Sequence, residues 1–195
     1  LADVPEGCSL GDLKAVSSIL LRTGANINEM NCIRKHLSKV KGGQLSKAAF
    51  PARVVSLILS DVIGDQLDVI ASGPTAPDPT TFADAISIIK KYKIKNEIPQ
   101  KIYHILQEGF ENKRQETIKE SDEILLLTNN LIIGNNTFAL KTAKEKAESL
   151  GYESQVITNK VEGDVSDVAN YIFETVKRHK ADKISMFFFI VPLKF

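Results

Sequence analysis

Two carboxylates, Asp61 and Asp65, stand just beyond an apolar run from Val54 to Leu59, with Ser60 before them and Gly64 between them. A carboxylate in such a place can hold a divalent cation or accept the proton of a reacting hydroxyl. Ser72-Gly73-Pro74-Thr75 follows closely. A second set is cationic and hydrogen-bonding: Asn31, Arg34, Ser38 and Lys41, then Gly42-Gly43. Side chains of these types suit an anion, and two successive glycines let backbone come close to one. A third, smaller set is Gly134-Asn135, between the apolar Leu131–Ile133 and a helical pattern, where free backbone N–H groups could meet an anion. Each set also has a plain structural reading, as a strand-ending turn, a solvated helix face and a tight turn.

The elements that position these residues follow from periodicity. Val54–Leu59 is rich in β-branched residues and too short for a membrane span, the pattern of a strand buried on both faces in a parallel sheet. In open α/β sheets, ligands sit beyond the carboxyl ends of the strands, where Ser60 and Asp61 fall. Ser9 with Asp12 and Asn26 with Glu29 have capping-box spacing and open two helices. On the second, Met30, Ile33, Leu37 and Val40 form an apolar stripe. Asn31, Arg34, Ser38 and Lys41 form another, rotated by roughly 100°, which leaves Asn28, Lys35 and Lys39 for solvent. That helix is expected to run to Gly42-Gly43.

Further along, 45–50 reads as a short helix or turn, and Pro77-Asp78-Pro79-Thr80 as a rigid turn capping a helix with Ala83, Ile86, Ile89 and Tyr92 on its face. Pro99 starts another helix with Ile102, Ile105, Leu106 and Phe110. The charged stretch 112–123 reads as an exposed connection. Strands are expected at 124–127 and 131–133 with a turn at Asn129-Asn130, then at 153–158 and 184–191, with helices at 137–150 and 163–180. Strands alternating with helices argue for an α/β fold: a parallel-type sheet with flanking helices. His36, His104 and His179 have no metal-ligand spacing and read as surface residues.

Composition narrows the function classes. The 195 residues are 43% hydrophobic and 25% charged, with a formal net charge of +1. That balance gives no electrostatic reason for a nucleic acid or an anionic membrane as partner. Cys8 and Cys32 are isolated, which fits a reducing, cytoplasmic setting, a mitochondrial one being left open. No apolar segment has transmembrane length. Leu1 in place of an initiator Met, and the apolar end at 186–191, make the chain read as a piece of a longer protein.

Taken as blocks, these residues resemble the glycerate kinase family of the bacterial and animal type. Asn31-Cys32-Ile33-Arg34-Lys35-His36-Leu37-Ser38 with Lys41-Gly42-Gly43 is similar to the family's N-x-x-R-K-H-L-S-x-x-K-G-G. Leu59-Ser60-Asp61-Val62-Ile63-Gly64-Asp65 with 67–75, LDVIASGPT, is similar to its L-S-D-V-x-G-D-x-L-D-V-I-A-S-G-P-T. Pro77-Asp78-Pro79-Thr80-Thr81 and Ile133-Gly134-Asn135 continue the match.

The resemblance covers residues 1–180, as part of the N-terminal glycerate kinase domain, and leaves 181–195 as a divergent, truncated apolar tail. The family's glycine-rich blocks before and after this region are not in the chain, which therefore resembles a central fragment of a larger two-domain enzyme. The resemblance implies ATP-dependent phosphorylation of D-glycerate to 2-phosphoglycerate or 3-phosphoglycerate, with Mg²⁺. Asp61 is then metal ligand or general base, and Asp65 and Lys41 further catalytic residues. Arg34, Ser38, Asn31, Ser60, Gly42 and Gly43 bind substrate, and Gly134 and Asn135 the nucleotide. It further implies an inactive isolated chain. The alternatives are a non-catalytic truncated product and a hydroxypyruvate reductase, for which no G-x-G-x-x-G follows a strand.

Overall fold

The computed structural model describes residues 3–160 and 163–179. Helices α1 (Leu10–Arg22), α2 (Ile27–His36) and α3 (Gln44–Ala49) precede strand β1 (Val54–Ser60). Helices α4 (Phe82–Lys91) and α5 (Gln100–Phe110) follow, then strand β2 (Thr128–Asn135) and helices α6 (Asn136–Ser149) and α7 (Val165–His179). β1 and β2 pair in parallel as a two-stranded sheet, with helices flanking it. The chain divides into two compact units, one of residues 1–56 with 66–131, the other of 57–65 with 132 onward.

The core of the first unit is helical. Leu20 on α1, Ile33 on α2, Ile89 on α4 and Ile102 and Leu106 on α5 are each at most 1% exposed. Three N-termini close with reciprocal capping boxes: Ser9 with Asp12, Asn26 with Glu29 and Thr81 with Asp84. The α4 cap is thus Thr81, not the preceding proline turn, and Phe82 and Ala85 rather than Ala83 carry its buried face. Phe110 is exposed, and Gly109 lies against the Phe82 ring in its place.

Several expectations change. β1 is half-buried on one side and open on the other: Val55, Leu57 and Leu59 are 57–74% exposed, because no described element covers that face. α2 stops at His36 and not at Gly42. Ser38 Oγ accepts hydrogen bonds from the N–H groups of Val40 (3.1 Å) and Lys41 (2.9 Å), a local turn that competes with helix. Ser38 and Lys41 therefore leave the helical stripe.

Residues 123–127 form a 3₁₀ turn, in which Leu125 N–H donates to Asp122 O; periodicity cannot separate strand from helix in so short an apolar run. Asn129 and Asn130 lie inside β2, where Asn130 Nδ2 donates to Thr75 O. Residues 153–158 are irregular, with no ladder partner among the described residues. The strand expected at 184–191 lies outside the described residues. The 112–123 connection is exposed at 112–115, as expected, while Thr117 and Ile118 within it are buried.

Candidate functional site

In the first unit, α2 carries Asn31 and Lys35 one turn apart, and both grip the segment that ends in Ser72-Gly73. Asn31 Oδ1 accepts from Ser72 Oγ (3.1 Å). Lys35 Nζ donates to Asp68 Oδ2 (3.1 Å) and to Asp78 Oδ1 (3.2 Å). The Gly42-Gly43 turn closes on the same segment, Gly42 N–H donating to Ser72 O (3.0 Å) and Gly43 N–H to Gly73 O (2.8 Å). The two glycine-bearing sequence blocks thus meet, and these two N–H groups are spent within the chain rather than held out to an anion. Ala71, Ser72 and Gly73 have φ of 51°, 62° and 60°, a run of left-handed residues that surrounding bonds must hold. A side chain on Gly43 would stand 2.5 Å from Ile118 Cβ.

Arg34, Ser38, Lys41 and Ser72 line one cavity of about 490 Å³ with the apolar inner side of α1. Arg34, half-buried, has no hydrogen bond or ion pair among the described residues. Among the described residues, Lys41 Nζ reaches only the Ala71 carbonyl, at 3.3 Å. Ser38 Oγ donates to the Asp3 carboxylate (2.9 Å), which also accepts from Lys39 N–H. Asn31 lines a different, polar cavity of about 370 Å³ with Lys35, Gln66 and Asp68. The stripe expected to act together is therefore split between two cavities.

Lys35, left for solvent by the helical stripes, and His36, read as a surface residue, are both buried. Every residue of α2 from Met30 to His36 except Arg34 is buried, so its C-terminal half has no broad wet face. The charge of Lys35 is matched by Asp78, which also accepts from Thr80 N–H (3.0 Å), Thr80 Oγ1 (2.7 Å) and Thr117 Oγ1 (3.0 Å). Burial works against that carboxylate, but the Thr80 hydrogen bonds and the charges of Lys35 and His36 hold its pKa below the usual range.

His36 Nδ1 donates to Cys32 O (2.8 Å) and Nε2 to Glu116 Oε2 (3.1 Å). A carbonyl and a carboxylate only accept, so both ring nitrogens carry protons. Burial favours the neutral ring, yet these two bonds prevail and raise the pKa to about 9. Glu116 also accepts from Phe82 N–H (2.7 Å); burial opposes its charge, but His36 and that N–H bring its pKa down to about 2. His104, by contrast, is exposed, as expected.

In the second unit, Ser60 is buried and accepts from Val62 N–H (3.3 Å), shaping the exit from β1. Asp61 is exposed and has no hydrogen bond or ion pair among the described residues. Gly64 and Asp65 take φ of 81° and 52°, which turns the Asp65 carboxylate to accept from Asn135 Nδ2 (2.6 Å). Asn135 Oδ1 in turn caps α6 by accepting from Phe138 N–H (2.9 Å). Asp61, Asp65, Asn135 and Lys160 line a cavity of about 100 Å³. Gly134 has a packing reason, since a Cβ there would stand 2.8 Å from Leu59 Cδ2. Among the described residues, no three His, Cys, Asp or Glu side chains cluster as a metal site, and no helix is long and apolar enough to cross a membrane.

Known proteins are similar to this chain in sequence and in fold. The chain is 40% identical over 178 residues to glycerate 2-kinase of Pyrococcus horikoshii, covering 91% of itself and 40% of that protein. It is 37% identical over 175 residues to D-glycerate 2-kinase of Thermotoga maritima, covering 90% of itself and 39% of that protein. The crystal structure of glycerate kinase from Thermotoga maritima superposes with a TM-score of 0.74 at 36% identity, over 92% of this chain and 41% of that one. The chain thus spans about two fifths of the length of these relatives. The family model described as a domain of unknown function, DUF4147, matches residues 1–107, more than half of the 195, and the chain belongs to that family.

Proposed function

We propose that this chain is the part of an ATP-dependent glycerate kinase that binds D-glycerate and contributes a catalytic carboxylate, and that the product is 2-phosphoglycerate. Similarity to two glycerate 2-kinases over nine-tenths of the chain supports the reaction. The observation that carries the site is Arg34, half-buried without a partner among the described residues, in one cavity with Ser38 and Lys41. A cation so placed suits the glycerate carboxylate, with Lys41 as a second positive charge. Asn31 and Ser60 support the two segments by hydrogen bonds, and Gly42 and Gly43 hold the Ser72-Gly73 wall.

Phosphoryl transfer asks for positioning and charge compensation rather than covalent chemistry. Asp61, exposed and without a partner among the described residues, takes the role of proton acceptor or metal ligand. Asp65 is held by Asn135, and Gly134 and Asn135 with the α6 N-terminus face the phosphates of ATP. The hard oxygens of Asp61 and Asp65 in one small cavity fit Mg²⁺, which would supply charge neutralisation at the transferred group.

The test is a product assay on the full-length protein carrying this sequence, with ATP and D-glycerate, separating the two phosphoglycerates. The reading expects 2-phosphoglycerate, and no turnover by the 195-residue chain alone. Formation of 3-phosphoglycerate in its place, or of neither phosphoglycerate, by the full-length protein would overturn it.

A further inference from the structure

Ser72 has one hydroxyl proton, and Asn31 Oδ1 takes it at 3.1 Å, with both residues buried. Its backbone is fixed as well, by the left-handed run 71–73 and by Gly42 N–H on its carbonyl. What this hydroxyl can still offer is lone pairs, and Ser72 lines the cavity that holds Arg34, Ser38 and Lys41. Lone pairs repel the oxygens of a carboxylate or a phosphate and welcome an O–H. The cavity therefore combines cations for an acid with an acceptor for a hydroxyl.

We propose that Ser72 determines specificity by accepting a hydrogen bond from the C3 hydroxyl of bound D-glycerate, and that Asn31 is the positioning residue that sets the direction of that bond. The inference rests on the glycerate reading above, in which the C2 hydroxyl gives up its proton on phosphorylation and needs a base. The C3 hydroxyl keeps its proton and needs only an acceptor. A site built to pair a hydroxyl rejects the analogue without it, because its own polar group is then left unpaired.

The experiment compares D-glycerate with D-lactate, which has the C2 hydroxyl and lacks the C3 hydroxyl. Each is titrated into the isotope-labelled full-length protein carrying this sequence and followed by the amide signals of residues 31–43 and 71–73. The wild-type chain is expected to prefer D-glycerate by about tenfold, the worth of one net hydrogen bond. In Ser72→Ala the preference falls to within about twofold while D-lactate affinity holds. Asn31→Ala is expected to lower the preference less, since the freed Ser72 hydroxyl keeps its lone pairs but loses the bond that fixes their direction. Both variants are checked for a dispersed, native spectrum, and either one suffices if the other fails to fold.

A preference unchanged in the folded variant, with only its melting temperature lowered, would reduce the Ser72–Asn31 bond to a structural tie and overturn this inference alone. Failure of the full-length wild-type protein to bind D-glycerate at all would overturn the substrate reading and this inference with it.

Discussion

Lys35 Nζ lies 3.2 Å from Asp78 Oδ1, and the two side chains are 3% and 0% exposed. A charge pair so sealed contributes little over an apolar pair of the same shape, yet losing one member strands the other. Lys35→Met is expected to cost about 3–5 kcal/mol, because the Asp78 carboxylate is left buried without its cation. Lys35→Met combined with Asp78→Asn should recover part of that loss. Urea denaturation of the three proteins measures it, and a double variant no more stable than Lys35→Met would show that the charge of Asp78 is not what Lys35 offsets.

The His36–Glu116 pair gives stability a defined pH window. The His36 pKa is raised in the folded chain to about 9 from 6.5, so its contribution is full below pH 6.5 and is lost as pH climbs through 9. The Glu116 pKa is lowered to about 2 from 4.5, so its contribution is full above pH 4.5 and is lost as pH falls toward 2. The pair therefore supports the fold most between pH 4.5 and 6.5. Denaturation midpoints of Glu116→Gln should lose much of the decline between pH 6.5 and 9; a profile parallel to wild type would contradict the pairing.

Two glycines separate close packing from conformation. Gly43 and Gly64 have similar φ, 78° and 81°, but a Cβ meets Ile118 at 2.5 Å in the first and open space in the second. Alanine at either site carries the left-handed cost, roughly 1–2 kcal/mol. Gly43→Ala should add about 1–3 kcal/mol of overpacking. Equal losses on thermal denaturation would mean that the Gly43–Ile118 contact is not tight in solution.

How much of this was legible in the sequence divides by physical cause. Local signals read well: Ser9 and Asn26 announce their helices through capping boxes, and the β-branched run at 54–59 is a strand. The end of α2 did not read, because its apolar spacing continues to Val40 while the Ser38 hydroxyl turns the backbone three residues earlier. Burial of Lys35 and His36 did not read either. A helical wheel assumes one wet face, and here the partners, Asp68, Asp78 and Glu116, come from 33 to 80 residues away. The charge-rich 112–123 segment looked solvated for the same reason: its Glu116 spends its charge on a histidine that no local pattern marks. Of the site, residue types were legible, and the separation of Asn31 from Arg34, Ser38 and Lys41 was not.

The central claim, that this chain contributes the catalytic carboxylate of a glycerate kinase, meets its most direct test in Asp61→Asn. The change keeps the side chain's size and removes its charge, and Asp61 has no hydrogen bond or ion pair among the described residues to lose. In the full-length protein, kcat for D-glycerate is expected to fall by about 10²–10⁴-fold with the melting temperature unchanged, and Asp65→Asn to cost less. A kcat within a few-fold of wild type in a folded Asp61→Asn protein would contradict the account.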